Sequence, residues 1–109
     1  MIQSNADILE EAARLIEPQG AWVKGYYALN SRGIEADTAE EAVCYCALGA
    51  ISVAAGGNPP DEMGSRAQEL LHTVISGPID KWNDAPERTQ EEVVAKLHEA
   101  AAKAREAGL

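Results

Sequence analysis

The sequence predicts a mainly α domain, with about four helices packed around a central apolar helix and a small two-stranded β-hairpin laid against them. Three observations carry that expectation. Apolar residues recur at intervals of three and four near 5–17, 60–76 and 90–107, which is the spacing of one buried helix face. The run Glu41 to Pro60 has no charge after Glu41 in a chain where 25% of residues are charged, so it must be surrounded by protein. Trp22 to Leu29 instead alternates with a period near two before the turn residues Asn30-Ser31-Arg32-Gly33, which suits a hairpin.

Ser4 or Asn5 can cap a first helix over about 5–17, in which Ile8, Leu9, Ala12, Leu15 and Ile16 form the apolar stripe and Pro18 stops it. The hairpin is expected over about 21–36, and because two isolated strands are marginal in water, one face must lean on the helices. Thr38-Ala-Glu-Glu41 has capping-box spacing, so the central helix is expected over about 39–56, with Gly56-Gly57 and Pro59-Pro60 ending it. That run is shorter than the roughly 20 strongly apolar residues of a membrane span. Gly49 within it costs roughly 1 kcal/mol relative to Ala, a cost offset if another backbone approaches closely. Asn58 precedes Pro59 and Pro60 as a cap for a helix over about 60–76, with Asp61 and Glu62 in its first turn and Met63, Ala67, Leu70, Leu71, Val74 and Ile75 as its stripe. Pro78 to Arg88 reads as a connection. Thr89-Gln-Glu-Glu92 repeats the capping box and opens a last helix over about 90–107.

The 109 residues read as one domain, large enough to bury a core without a metal or disulfide. Cys44 and Cys46 lie two apart and point to opposite sides, so they cannot bridge each other. Free thiols and an N-terminus bearing Asp7, Glu10 and Glu11 rather than a signal segment lead to a cytoplasmic expectation. A formal net charge of −9 opposes direct binding of nucleic acid or anionic lipid, and leaves a basic protein as the partner that charge would favour.

Cys46 could serve as a nucleophile with His72, Asn83 and Asp84 as nominal partners, but a reactive thiolate wants a helix start or nearby cations, and this reading places it two turns inside a neutral helix. Cys46, Leu48 and Gly49 are therefore expected in the core. Cys44, Cys46, His72 and His98 lack ligand spacing for a metal, and no phosphate loop, nucleophile elbow or cofactor motif is present. Asp80 and Asp84 could approach each other as a carboxylate pair. Trp82-Asn83-Asp84 either plugs the end of the helical core, with Arg88 pairing Asp84, or joins Trp22, Lys24, Tyr26 and Arg88 in an exposed aromatic patch of the kind that makes interface hot spots.

Trp22-Val-Lys-Gly25, Cys46-Ala-Leu-Gly-Ala50 and Trp82-Asn-Asp-Ala-Pro-Glu-Arg-Thr89 together resemble an uncharacterised family of small bacterial and phage proteins, a domain of unknown function. Tyr45 stands where that family commonly has tryptophan, and Glu87 where glycine is frequent. The resemblance implies positions to test and no mechanism. The leading functional expectation is a small binding or regulatory module acting through the hairpin and the Trp82 loop, with tentative binding residues Trp22, Lys24, Tyr26, Trp82, Asn83, Asp84 and Arg88. The alternatives are a small hydrolase using Cys46 or Asp84, and an acidic inhibitor of a nucleic-acid-binding protein. A protein partner is expected, with no cofactor.

Overall fold

A computed structural model describes residues 3–59 and 64–109. Helix α1 (Asn5–Ile16) begins with a complete capping box: the Ser4 hydroxyl accepts from the Asp7 N–H at 3.0 Å and the Ser4 N–H donates to the Asp7 carboxylate at 3.3 Å. The last helix, α5 (Gln90–Glu106), has the same box between Thr89 and Glu92. These two helices pack along each other and α1 also crosses α2 (Ala47–Ala54), burying Leu9, Ile16, Ile51, Val93 and Leu97 completely. Leu71 joins them from α3 (Ser65–His72). A short α4 (Ile79–Asp84) closes one end with Ile79 and Trp82.

Two strands, β1 (Ala28–Leu29) and β2 (Cys44–Tyr45), pair antiparallel with Ala28 opposite Tyr45 and Leu29 opposite Cys44. The described residues are thus mainly α with a small two-stranded antiparallel hairpin, the fold class read from the sequence. Four element boundaries differ. The hairpin does not close between Trp22–Leu29 and Ile34–Ala36; that inner turn keeps one bridge, Leu29 to Glu35, with Asn30 N–H donating to the Ile34 carbonyl at 2.7 Å. The central helix does not span 39–56. The Thr38 hydroxyl does accept from the Glu41 N–H at 3.3 Å, but it caps only a turn, because the chain then extends into β2. Tyr45 is held from both sides, donating to the Ala21 carbonyl at 2.8 Å, accepting from the Val23 N–H at 3.0 Å and facing Ala28 across the strand pair. Helix α2 therefore starts only after Cys46, which is its N-cap rather than a mid-helix residue.

The stretch expected to be a connection contains α4, and the helix expected over 60–76 is observed as Ser65–His72, where the Thr73 hydroxyl donates to the Leu70 carbonyl at 2.7 Å. The expected start of that helix at Pro60, Asp61, Glu62 and Met63 lies outside the described residues.

Gly49 lies on the side of α2 that faces the hairpin, and a methyl group there would collide with the Tyr27 carbonyl oxygen. The close approach expected of that glycine is present: the Tyr27 carbonyl comes this near because it accepts from the Cys46 N–H at 3.0 Å.

Candidate functional site

Asn83 ties three segments together. Fully buried at the end of α4, it accepts through Oδ1 from the Trp22 indole N–H at 2.7 Å and from the Ala47 N–H at 3.0 Å, and donates through Nδ2 to the Val23 carbonyl at 3.0 Å. One side chain thus fastens the hairpin to α4 and caps the first turn of α2, with every polar atom satisfied. Lys24 continues the seam by donating to the Ala85 carbonyl at 2.8 Å while lying 5.4 Å from the Trp22 ring centroid. The Asp84 carboxylate accepts from the Gly25 N–H and from Asn83 Nδ2, both at 3.0 Å, through its Oδ1 atom.

Arg88 does not pair with Asp84. Its Nε donates to the Trp82 carbonyl at 2.9 Å, its guanidinium lies 4.3 Å from the Trp82 ring centroid, and its Nη1 reaches Glu92 at 3.0 Å, one helical turn on. The reason is local: α4 ends at Asp84 with that carboxylate turned to the hairpin, while Glu92 sits on the first turn of the helix that Arg88 precedes. The expected aromatic patch is accordingly divided. Trp82 is 8% exposed and Asn83 is interior, Trp22, Lys24 and Arg88 are half-buried, and Tyr26 is 50% exposed.

Beside this seam lies a cleft of about 150 Å³ lined by Gly25, Tyr26, Tyr27, Glu35, Cys46, Asp80 and Asp84. Because α4 is a helix, Asp80 and Asp84 stand four residues apart on one face, and the hairpin's inner turn brings Glu35 to the same cleft. Among the described residues, no lysine or arginine lines it. Glu35 and Tyr27 were not among the residues the sequence singled out for binding; Glu35 could not have been, since its position depends on how the turn at Asn30 folds back.

Cys46 forms the floor. Its Sγ accepts from the Gly49 N–H at 3.4 Å, and as N-cap it occupies the helix start that favours a thiolate. Burial overrides this: the thiol is pushed up to about 11, with the N–H bonds of Gly49 and Leu48 opposing the shift and the charge of Asp84 adding to it. Of the core motif, Cys46 and Gly49 are buried and Leu48 is half-buried. His72 and His98 are exposed. Among the described residues no three His, Cys, Asp or Glu side chains converge as a metal site, and no helix is long and apolar enough to cross a membrane.

A family model described as a family of unknown function, DUF6197, matches residues 2–103, and the chain belongs to that family. No curated protein and no solved structure matches it.

Proposed function

From membership of a family that brings no activity with it, and from the cleft's geometry, we propose that the chain is a small protein-binding module whose hairpin–α4 cleft takes a basic side chain of its partner. The observation that carries this reading is the composition of the cleft: three carboxylates and two exposed tyrosines around a space of about 150 Å³, which admits an ammonium or guanidinium head, with no lysine or arginine among the described residues that line it. A guanidinium can pair with carboxylates in two parallel bonds and lie on a tyrosine ring, so arginine suits it better than lysine. Trp22, Lys24, Trp82, Asn83 and Arg88 act as the frame that sets Tyr26 and Asp84 in place, and the free thiols of Cys44 and Cys46 suit a reducing, cytoplasmic setting.

A hydrolase built on Cys46 is the weaker reading, because a buried thiol held near 11 is protonated at neutral pH. A general acidic inhibitor would draw on the whole surface charge and lose affinity steeply with salt, whereas one guanidinium held against three carboxylates involves fewer charges and loses less. The test is an NMR titration with N-acetyl-arginine amide and its uncharged counterpart N-acetyl-citrulline amide. The expected result is selective shifts at Gly25, Tyr26, Asp80 and Asp84 with the arginine probe, lost in the Asp80→Asn/Asp84→Asn variant. Equal shifts with both probes, or none at millimolar concentration, sink the reading.

A further inference from the structure

The exposed side of α5 offers a second, separate surface. Glu91, Val94, Ala95 and His98 stand at i, i+3, i+4 and i+7, one face of the helix, whereas the opposite face buries Val93, Leu97, Ala100, Ala101 and Ala104 against the core. Together with Glu17 and Gln19 beyond the end of α1 they form a groove of about 660 Å³. It shares no lining residue with the cleft: Gln90 Nε2 donates to the Ile16 and Pro18 carbonyls at 2.6 and 2.7 Å here, joining α5 to the end of α1, while Gly25 meets Asp84 at the cleft.

We infer that this groove docks a basic amphipathic helix of a protein partner, lying alongside α5. The floor is aliphatic, from half-buried Val94 and exposed Ala95, and suits a stripe of small or branched apolar residues on the incoming helix. The rim is negative. Glu17 and Glu91 are both exposed, and among the described residues neither forms an ion pair. Lysine or arginine on the flanks of the incoming helix matches that rim. A second copy of the chain does not, since it would set Glu17 and Glu91 against their own kind in two molecules of net charge −9 each. An anionic membrane or nucleic acid is opposed by the same charge.

The inference is independent of the cleft, and one experiment separates the two. The probe is a fluorescein-labelled 14-residue peptide with leucine at helical spacing and lysine elsewhere, titrated by anisotropy and mapped by NMR. Docking predicts shifts confined to residues 17–19 and 90–98, and an affinity about tenfold weaker in Glu17→Gln/Glu91→Gln, equivalent to about 1.4 kcal/mol for the two exposed rim charges together. Ala95→Asp is the decisive variant, because it adds negative charge to an exposed position while obstructing the floor. Docking predicts that it weakens binding; attraction to bulk charge alone predicts that it strengthens binding, and that outcome overturns the inference. Shifts spread over the whole surface, or collected at Tyr26 and Asp84, also overturn it, the latter while leaving the cleft reading intact.

Discussion

Asn83 and Asp84 are adjacent in sequence and opposite in environment. Asn83 is buried, with its amide oxygen and nitrogen engaged by Trp22, Ala47 and Val23, whereas Asp84 is exposed and takes both of its bonds on one oxygen, leaving the other for the cleft. The difference teaches where the chain's polar groups serve the fold and where they remain available. A neutral amide satisfied on every side holds three segments at no cost in buried charge, while the carboxylate stays at the solvent edge where its desolvation is slight. Substitutions that move this boundary test it.

The largest expected effect is at Asn83. Asn83→Ala strips partners from the Trp22 indole N–H, the Ala47 N–H and the Val23 carbonyl at once. Each buried polar group left unsatisfied costs about 1–3 kcal/mol, so a loss of about 4 kcal/mol is expected. Urea unfolding followed by the fluorescence of Trp22 and Trp82 measures it directly. A loss below about 1 kcal/mol would mean that water replaces Asn83 and that the seam is not held by this residue.

Gly49→Ala comes next. The added methyl meets the Tyr27 carbonyl, which cannot retreat without stretching its bond from the Cys46 N–H. Overpacking of a well-fitted contact costs about 1–3 kcal/mol, and because the contact is backbone, the upper part of that range is expected. Hydrogen exchange sharpens the result: protection of the Cys46 amide should fall by more than that of Leu97, which lies in α5, if the hairpin separates from α2 before the α1–α5 pair opens.

Cys46 gives the third effect, on pH. Its folded-state value stands near 11 against an ordinary 9.0, so the unfolded chain releases the proton first. The contribution is therefore fully present below pH 9 and is lost as pH rises toward 11, on the order of 2 kcal/mol in total. The difference in stability between the wild type and Cys46→Ala should narrow over that interval. Alkylation at neutral pH, resolved by mass spectrometry, should modify half-buried Cys44 well before Cys46, which reacts only as fast as the fold opens.

How far the sequence foretold this arrangement follows from how local each signal is. For α1 and α5, cap, stripe and stop all lie within one segment, and both helices occur close to where those signals put them. Asp37-Thr-Ala-Glu-Glu-Ala-Val43 and Arg88-Thr-Gln-Glu-Glu-Val-Val94 carry the same cap, yet only the second opens a helix. After Thr89 the residues Val93, Leu97 and Ala101 give the helix a face to bury; after Thr38, Tyr45 gains more by pairing with Ala21, Val23 and Ala28, and exposed Val43 shows no helical face at all. That competition is decided by residues some 20 positions upstream, beyond any local pattern. Helix α4, at six residues, is too short to show a period. The same limit applies to the site: Trp22, Lys24, Trp82, Asn83 and Asp84 were singled out by residue type, but their pairing across about 60 positions, and the arrival of Glu35, come only with the fold.

Asp84→Asn should change stability least, and for that reason it tests the comparison most sharply. The asparagine oxygen can accept from the Gly25 N–H and Asn83 Nδ2 as the carboxylate does, so only the charge is removed, and at an exposed position the expected change is within about 0.5 kcal/mol. Binding of the arginine probe should nonetheless fall by about tenfold, since one of the three cleft carboxylates has become neutral while the shape is kept. Thermal unfolding and the NMR titration on the same sample read both quantities. A large loss of stability with unchanged binding would reverse the assignment, making Asp84 part of the seam with Asn83 and leaving the cleft without its anchor.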